Sequence, residues 1–223
     1  MGFSFIINKP VRFLSFIFIM FLLVSCKQKT NSGTAPVLGT AEEIRPVADS
    51  VKILKKAEEA LEFCKKKNFS TDFCLLIDMG LHSGVKRFFV WDFKKNKVAG
   101  KYLVGHGCGN DPWSKDGSKN RPQFSNVDGS HLSSLGKYKI QERGYSDWGI
   151  HVKYLMHGLE GTNSNALKRS IVFHSWNLMS DEEVFPKGSP EGWGCPTVSN
   201  NAMKEIDPML QKSGKPVLMW IYN

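Results

Sequence analysis

From residue 73 to residue 222 the apolar residues arrive in short β-branched and aromatic runs, and this most narrows what the chain can become. "FCLLIDM", "VKRFFVWDF" and "VAGKYLVGH" are separated by "GLHSG" and "KKNK", a pattern that predicts a β-meander. Further strands are expected at "GKYKI", at "GIHVKYL" with Ile150, Val152 and Tyr154 alternating, at "SIVFH" and at the terminal "KPVLMWIY". Helical spacing is confined to a few places. Val51, Leu54, Ala57, Leu61 and Cys64 recur at helical intervals after Asp49, a good N-cap, and the pattern stops at three lysines and Asn68. An amphipathic helix is therefore expected over 49–68, with shorter helices at Asn165 to Arg169 and Asn200 to Lys212. The fold class is mainly β (α+β), and a core of about 150 residues suits one domain.

The N-terminus carries Lys9 and Arg12, an uninterrupted apolar stretch from Phe13 to Val24, then Ser25 and Cys26. That stretch is shorter than the roughly 20 apolar residues a spanning helix needs, and a small residue closes it, as in an export signal. Leu23-Val24-Ser25-Cys26 resembles the lipobox of bacterial lipoproteins, where cleavage precedes the cysteine and the thiol carries a lipid. On this reading residues 1–25 are a lipoprotein signal peptide and Cys26 is lipidated. Residues 26–48, rich in Ser, Thr, Gly, Pro and Ala, form a flexible tether. The product is an exported, membrane-anchored lipoprotein facing the periplasm and cell wall. A cleaved secretory signal with an incidental Cys26 is the plainer alternative. Losing residues 1–25 lowers the formal net charge from +9 to +7, so the mature chain stays basic. Such a charge suits a membrane surface or an anionic wall; export and the lack of a basic run with interleaved aromatics argue against nucleic acid.

Compartment decides how the remaining cysteines are read, since an oxidising environment favours pairing. Cys64 on a helix face and Cys74 in a strand read as core, and Cys108 in "GHGCGN" as a loop residue without a clear purpose. Cys195, in "EGWGCPTVS", differs. Gly192 and Gly194 allow positive φ and close backbone approach, while Pro196 pushes Cys195 towards extended backbone. Such a turn offers a sulfur and successive N–H groups to one point, the arrangement of a nucleophile beside an oxyanion hole. A thiol attacks as thiolate and needs a base. His174, ending the apolar run Ile171-Val172-Phe173, is the best placed, with Ser175 able to orient its ring through carbonyl or hydroxyl.

"SIVFHSW" followed by "GWGCPTVS" resembles the catalytic segment of bacterial L,D-transpeptidases of the YkuD type, and in particular the branch of murein L,D-transpeptidase catalytic-domain proteins whose loop reads Gly-Cys-Pro-x-Val. "FSNVDGSHLSSLGKYKI" and "HGLEGTNSNALKRSIVFH" match that branch upstream, and the resemblance runs from about Phe73 to Asn200. It implies a YkuD-like β-sandwich or mixed sheet, with 69–223 as the catalytic domain.

The resemblance also implies the chemistry. Cys195 attacks the carbonyl between the third, diamino residue of a peptidoglycan stem and the terminal D-Ala; His174 is the base, held by Ser175; and Gly194 and Cys195 supply oxyanion-hole N–H groups. Gly136, Tyr138, Trp176 and Trp193 are candidates for substrate contact. An amine of a second stem peptide then yields a 3→3 cross-link, whereas water would make the site an L,D-carboxypeptidase. No cofactor and no metal are expected. Two departures stand out: Trp193 replaces the second histidine of most members, and "NLMSDEEVFPKGSPE" lengthens the interval from His174 to Cys195, a candidate cap for the cleft. The first keeps a non-catalytic wall-binding lipoprotein as an alternative. A metal hydrolase built on His151, His157, His174 and Cys195 is the rival chemistry, although their spacing fits no standard ligand pattern.

Overall fold

The structure, a computed structural model, describes residues 43–223. The signal peptide expected over 1–25, the lipid attachment point Cys26 and most of the tether lie outside the described residues. Helix α1 (Ser50–Lys67) begins where Asp49 accepts hydrogen bonds from the N–H groups of Val51 at 2.8 Å and Lys52 at 3.2 Å. It ends where Asn68 turns left-handed and donates its N–H to the carbonyls of Cys64 and Lys65. The bounds agree with expectation, but the buried stripe is rotated. Ile53, Ala57, Ala60 and Cys64 face the sheet, while Val51 and Leu54 point outward. Small residues take the inner face because Trp91, Trp220 and Tyr222 already fill the space beneath it.

Among the described residues eight strands form one mixed sheet: β1 (Phe73–Asp78), β2 (Phe88–Asp92), β3 (Lys97–Tyr102), β4 (Gly136–Tyr145), β5 (Val152–Gly158), β6 (Val172–Ser175), β7 (Thr197–Val198) and β8 (Val217–Tyr222). Their order is β3-β2-β1-β8-β4-β5-β6-β7. The first three make the expected antiparallel meander, and the C-terminal strand inserts between β1 and β4, parallel to β1. Both β1 and β8 are buried along their whole length, which explains their continuous apolar runs. Alternate residues serve two cores: Phe73, Leu75, Ile77, Val217, Met219 and Ile221 pack with the helix α2 (Asn200–Lys212), and Cys74, Leu76, Leu218 and Trp220 pack with α1.

Helix α2 has the expected span, capped by the Ser199 hydroxyl, which accepts the Ala202 N–H at 3.0 Å. The helix expected at Asn165 to Arg169 does not form. Asn165 is drawn into paired bonds with Asn126 (3.1 and 2.9 Å), Ser170 takes a left-handed φ of 56°, and the segment becomes a chain of turns. The two-residue strand β7, unanticipated from the sequence, is what joins the Cys195 segment to β6.

Candidate active site

His174 sits near the end of β6, buried, with Nδ1 2.9 Å from the backbone carbonyl of Ser175. A carbonyl only accepts, so Nδ1 carries the proton and Nε2 is left with a lone pair. Burial lowers the pKa of the imidazole, aided by the charge of Lys153, its partner across β5 and β6. The ring therefore rests neutral, as a base must. Ser175 contributes by its carbonyl; its hydroxyl instead accepts the Ile150 N–H at 3.0 Å. Gly149 packs so tightly under this residue that a Cβ there would lie 2.0 Å from the Ser175 hydroxyl.

The parallel pairing of β6 with β7 sets His174 opposite Thr197. Continuing that register back two residues puts Cys195 beside Val172, whose N–H reaches Sγ at 3.4 Å. Cys195 is thus diagonal to His174 on one side of the ladder. The S–H points to the Ser170 carbonyl at 3.9 Å. Burial raises the thiol pKa, opposed by the Val172 N–H and the charges of Arg169 and Lys153. At neutral pH the sulfur is protonated, so attack requires transfer of its proton to a neighbour.

The loop before Cys195 is supported on both sides. Gly194 has φ +101°, and its carbonyl accepts the Ser133 hydroxyl at 3.0 Å; a Cβ at 194 would lie 2.6 Å from the Leu132 carbonyl. Ser133 belongs to "FSNVDGSHLSSLG", which Arg169 ties down by donating to Ser125 O at 2.8 Å and Ser134 Oγ at 2.6 Å. The N–H groups of Gly194 and Cys195 have no acceptor among the described residues, which leaves them available to a ligand.

Cys195 and His174 line one cleft of about 110 Å³ together with Trp113, Trp148, Trp176, Trp193, Gly192 and Thr197. The four tryptophans touch: Trp113 lies 5.1 Å from Trp176, 5.9 Å from Trp148 and 6.3 Å from Trp193 between ring centroids. His131 stacks on Trp193 at 5.2 Å, an imidazole contributed by a different loop. A wider surface hollow of about 360 Å³ beside Tyr102 and Glu205 contains neither cysteine nor histidine.

Trp176 and Trp193 thus line the same cleft as Cys195 and His174, and Trp113 and Trp148 join them without having been anticipated. Tyr138 and Gly136 do not line this cleft. Tyr138 is fully buried in the main core and donates its hydroxyl to Ser134 O at 2.8 Å; Gly136 takes φ +129° where a Cβ would lie 2.7 Å from both Asn163 and Glu160. Both are structural at the root of β4. Residues 177–191 do not cap the cleft either. Val184 and Phe185 bond Gly84, and Ser189 exchanges two hydrogen bonds with Ser83, which draws the loop to the flank. The metal alternative finds no support in position: His151 stacks on Tyr145 at 5.3 Å, His157 bonds Glu142 at 3.0 Å, and neither lines the cleft that holds Cys195 and His174. Cys64, Cys74, Cys108 and Cys195 are all free thiols, the first two in the core as expected.

A profile of the L,D-transpeptidase catalytic domain matches residues 47–222. Comparison with curated proteins returned no match. Among solved structures, the helical cell shape determining protein Pgp2 from Campylobacter jejuni is similar at 13% identity and TM-score 0.42, over 76% of this chain and 56% of that one. Its K307A mutant gives TM-score 0.44 at 13% identity, over 76% and 55%. The Ldtfm-avibactam carbamoyl enzyme aligns at 13% identity and TM-score 0.38, over 68% and 49%. The chain spans about half the length of these structures. With the profile covering most of the sequence, the chain belongs to the L,D-transpeptidase catalytic domain family.

Proposed function

We propose that the protein is a peptidoglycan L,D-transpeptidase working through a Cys195 thioester. The supporting observation is that Cys195 and His174 open onto one cleft, with Nδ1 of His174 committed to the Ser175 carbonyl and Nε2 unprotonated. His174 Nε2 takes the thiol proton, and the thiolate adds to the carbonyl between the diamino residue and D-Ala of a stem peptide. The N–H groups of Gly194 and Cys195 stabilise the oxyanion. As the tetrahedral adduct collapses, the imidazolium returns its proton to the leaving amine; D-Ala departs and a thioester remains. The neutral imidazole then takes a proton from the acceptor amine, which displaces Cys195 and forms a 3→3 cross-link. Trp176 and Trp193, extended by Trp113 and Trp148, hold the substrate. Export and lipidation at Cys26 would keep the basic domain within reach of the wall.

The test is mass spectrometry of muropeptides after incubation with purified protein. Tetrapeptide substrates should lose D-Ala and accumulate 3→3 dimers, and Cys195→Ala should do neither. Tripeptide without dimer would assign the site to hydrolysis, and unchanged tetrapeptide would refute enzymatic activity. Radiolabelled palmitate incorporated by the wild type but not by Cys26→Ser tests the anchor.

A further inference from the structure

Glu191, Arg87 and His106 are all fully buried, a costly placement for charged and polar groups unless each is paired. They are linked in series through one carboxylate oxygen of Glu191, whose other oxygen is buried without a partner among the described residues. Arg87 donates through one guanidinium nitrogen to Nδ1 of His106 at 2.8 Å, and to the Leu81 and Val104 carbonyls. Because a guanidinium only donates, Nδ1 is an acceptor and the proton of the neutral ring lies on Nε2. That N–H meets the Ser118 hydroxyl at 2.9 Å, and Ser118 donates both its hydroxyl (3.0 Å) and its backbone N–H (2.7 Å) to one oxygen of Glu191. Every donor and acceptor along the line points the same way.

The end of this line adjoins the nucleophile loop. Glu191 donates its N–H to Lys115 O at 2.8 Å and accepts from Ser114 N at 2.9 Å; Gly192 donates to His106 O at 2.8 Å and accepts from Cys108 N at 2.7 Å. All four backbone groups of residues 191 and 192 are bonded, three residues before Cys195. Beyond them, among the described residues, the backbone has no partner through Cys195 until the ladder resumes at Thr197, apart from the Gly194 carbonyl held by Ser133. The position of the sulfur and of the N–H groups beside it therefore depends on where residues 191 and 192 are fixed, together with the Ser133 bond to Gly194 and the Val172 N–H on Sγ.

We propose that Arg87, His106, Ser118 and Glu191 form a largely buried hydrogen-bond line that helps to position the Cys195 loop, none of the four touching the substrate. This rests on the transpeptidase reading above, which assigns the reaction that the positioning serves. It also gives "GHGCGN" its purpose: His106 is a link in the line, while Gly107 and Cys108 pair with the loop across an isolated bridge to Gly192.

Ser118 is the link to cut, because it is partly exposed and its loss leaves no large cavity. In Ser118→Ala, amide exchange at Gly192 and Cys108 should quicken by about tenfold while β1 and β8 stay protected, as expected for a local opening. D-Ala release should lose about 10- to 100-fold in kcat with KM within about threefold, the size of effect an ångström of misplacement produces. Ser118→Thr, which keeps the hydroxyl, should restore both. A merely structural role would instead lower the melting temperature and lose activity in proportion to the unfolded fraction, and that result overturns the proposal. So does Ser118→Ala with wild-type exchange at Gly192, or with faster exchange and unchanged kcat. Wild-type protein that releases no D-Ala would defeat the transpeptidase reading alone, and the exchange measurement would still decide whether the clamp exists.

Discussion

Replacing Gly149 with alanine should disable the base without touching it. Gly149 lies at φ +62°, and a Cβ built there falls 2.0 Å from the Ser175 hydroxyl and 2.5 Å from the Ser175 carbonyl oxygen that holds His174 Nδ1. Reaching even 3.0 Å, a separation real Cβ contacts essentially never undercut, requires about 1.0 Å of movement at the hydroxyl and 0.5 Å at the carbonyl. A left-handed L-residue costs about 1–2 kcal/mol, and overpacking a filled site adds about 1–3 kcal/mol. The sum, about 2–5 kcal/mol, should lower the Tm by roughly 5–15 °C for a domain of this size. Below that transition the carbonyl remains displaced and the ring loses its tautomer lock, so kcat for D-Ala release should fall by about 100-fold. Gly161→Ala is the control, since no atom lies within 4 Å of its added Cβ, and both quantities should stay near wild type. Wild-type kcat in Gly149→Ala, measured where the variant is fully folded, would refute the claim that the Ser175 carbonyl orients the imidazole.

Four further outcomes are expected. Cys195→Ala should abolish D-Ala release and leave the thermal melt nearly unchanged, because the half-buried thiol makes two weak contacts; equal loss in Cys108→Ala would mean that the nucleophile is the other thiol. Trp193→Ala removes an aromatic wall that is 61% exposed, so KM should rise about 2- to 12-fold, the worth of one aromatic contact, with Tm unchanged. Tyr138→Phe deletes the hydrogen bond to Ser134 O and should cost about 1 kcal/mol of stability in a denaturant titration while turnover is unaffected, which separates core from cleft. Acid should destabilise the fold from about pH 6.5 downward, because His82, His106 and His174 all have pKa values lowered chiefly by burial; the unfolded chain then binds more protons than the folded one. Glu191, whose burial raises its carboxyl pKa, opposes this trend, so a Tm that climbs steadily from pH 7 to pH 5 would invert the balance assigned here.

The parts legible in the sequence were those encoded by neighbours along the chain. Asp49 and Asn68 announce both ends of α1 through local capping, and the alternation at "GIHVKYL" marks β5 because one face meets a core. Cys195 stood out because flanking glycines and a proline are a local signal, and His174 because a strand end is one. The stripe on α1 was misjudged for the opposite reason: which face turns inward depends on Trp91 and Trp220, distant in sequence, so Ala57 and Ala60 outcompeted Val51 and Leu54 for the sheet. Residues 165–169 had helical composition, but Asn126 offered Asn165 both of its amide partners from 39 positions away.

The cleft itself is assembled from long-range pieces, which is why half of its walls went unread. Trp113 comes from a loop with no periodicity and Trp148 from the turn between β4 and β5, and neither carries a local mark that distinguishes a cleft tryptophan from a core one. Tyr138 shows the converse, an aromatic beside a recognisable motif that the fold buries completely. What separates them is the support beneath. Trp113, Trp148, Trp176 and Trp193 hold one another at 5.1 to 6.3 Å, and all but the buried Trp176 leave surface exposed around the cleft that Cys195 lines, whereas Tyr138 is anchored by its hydroxyl under the loop that props Gly194. Tyr138 therefore belongs to the packing beneath Ser134, outside the cleft, whereas the tryptophans line it. A substrate-specificity change is accordingly expected from substitutions at the four tryptophans, and a change in loop stability from substitutions around Tyr138.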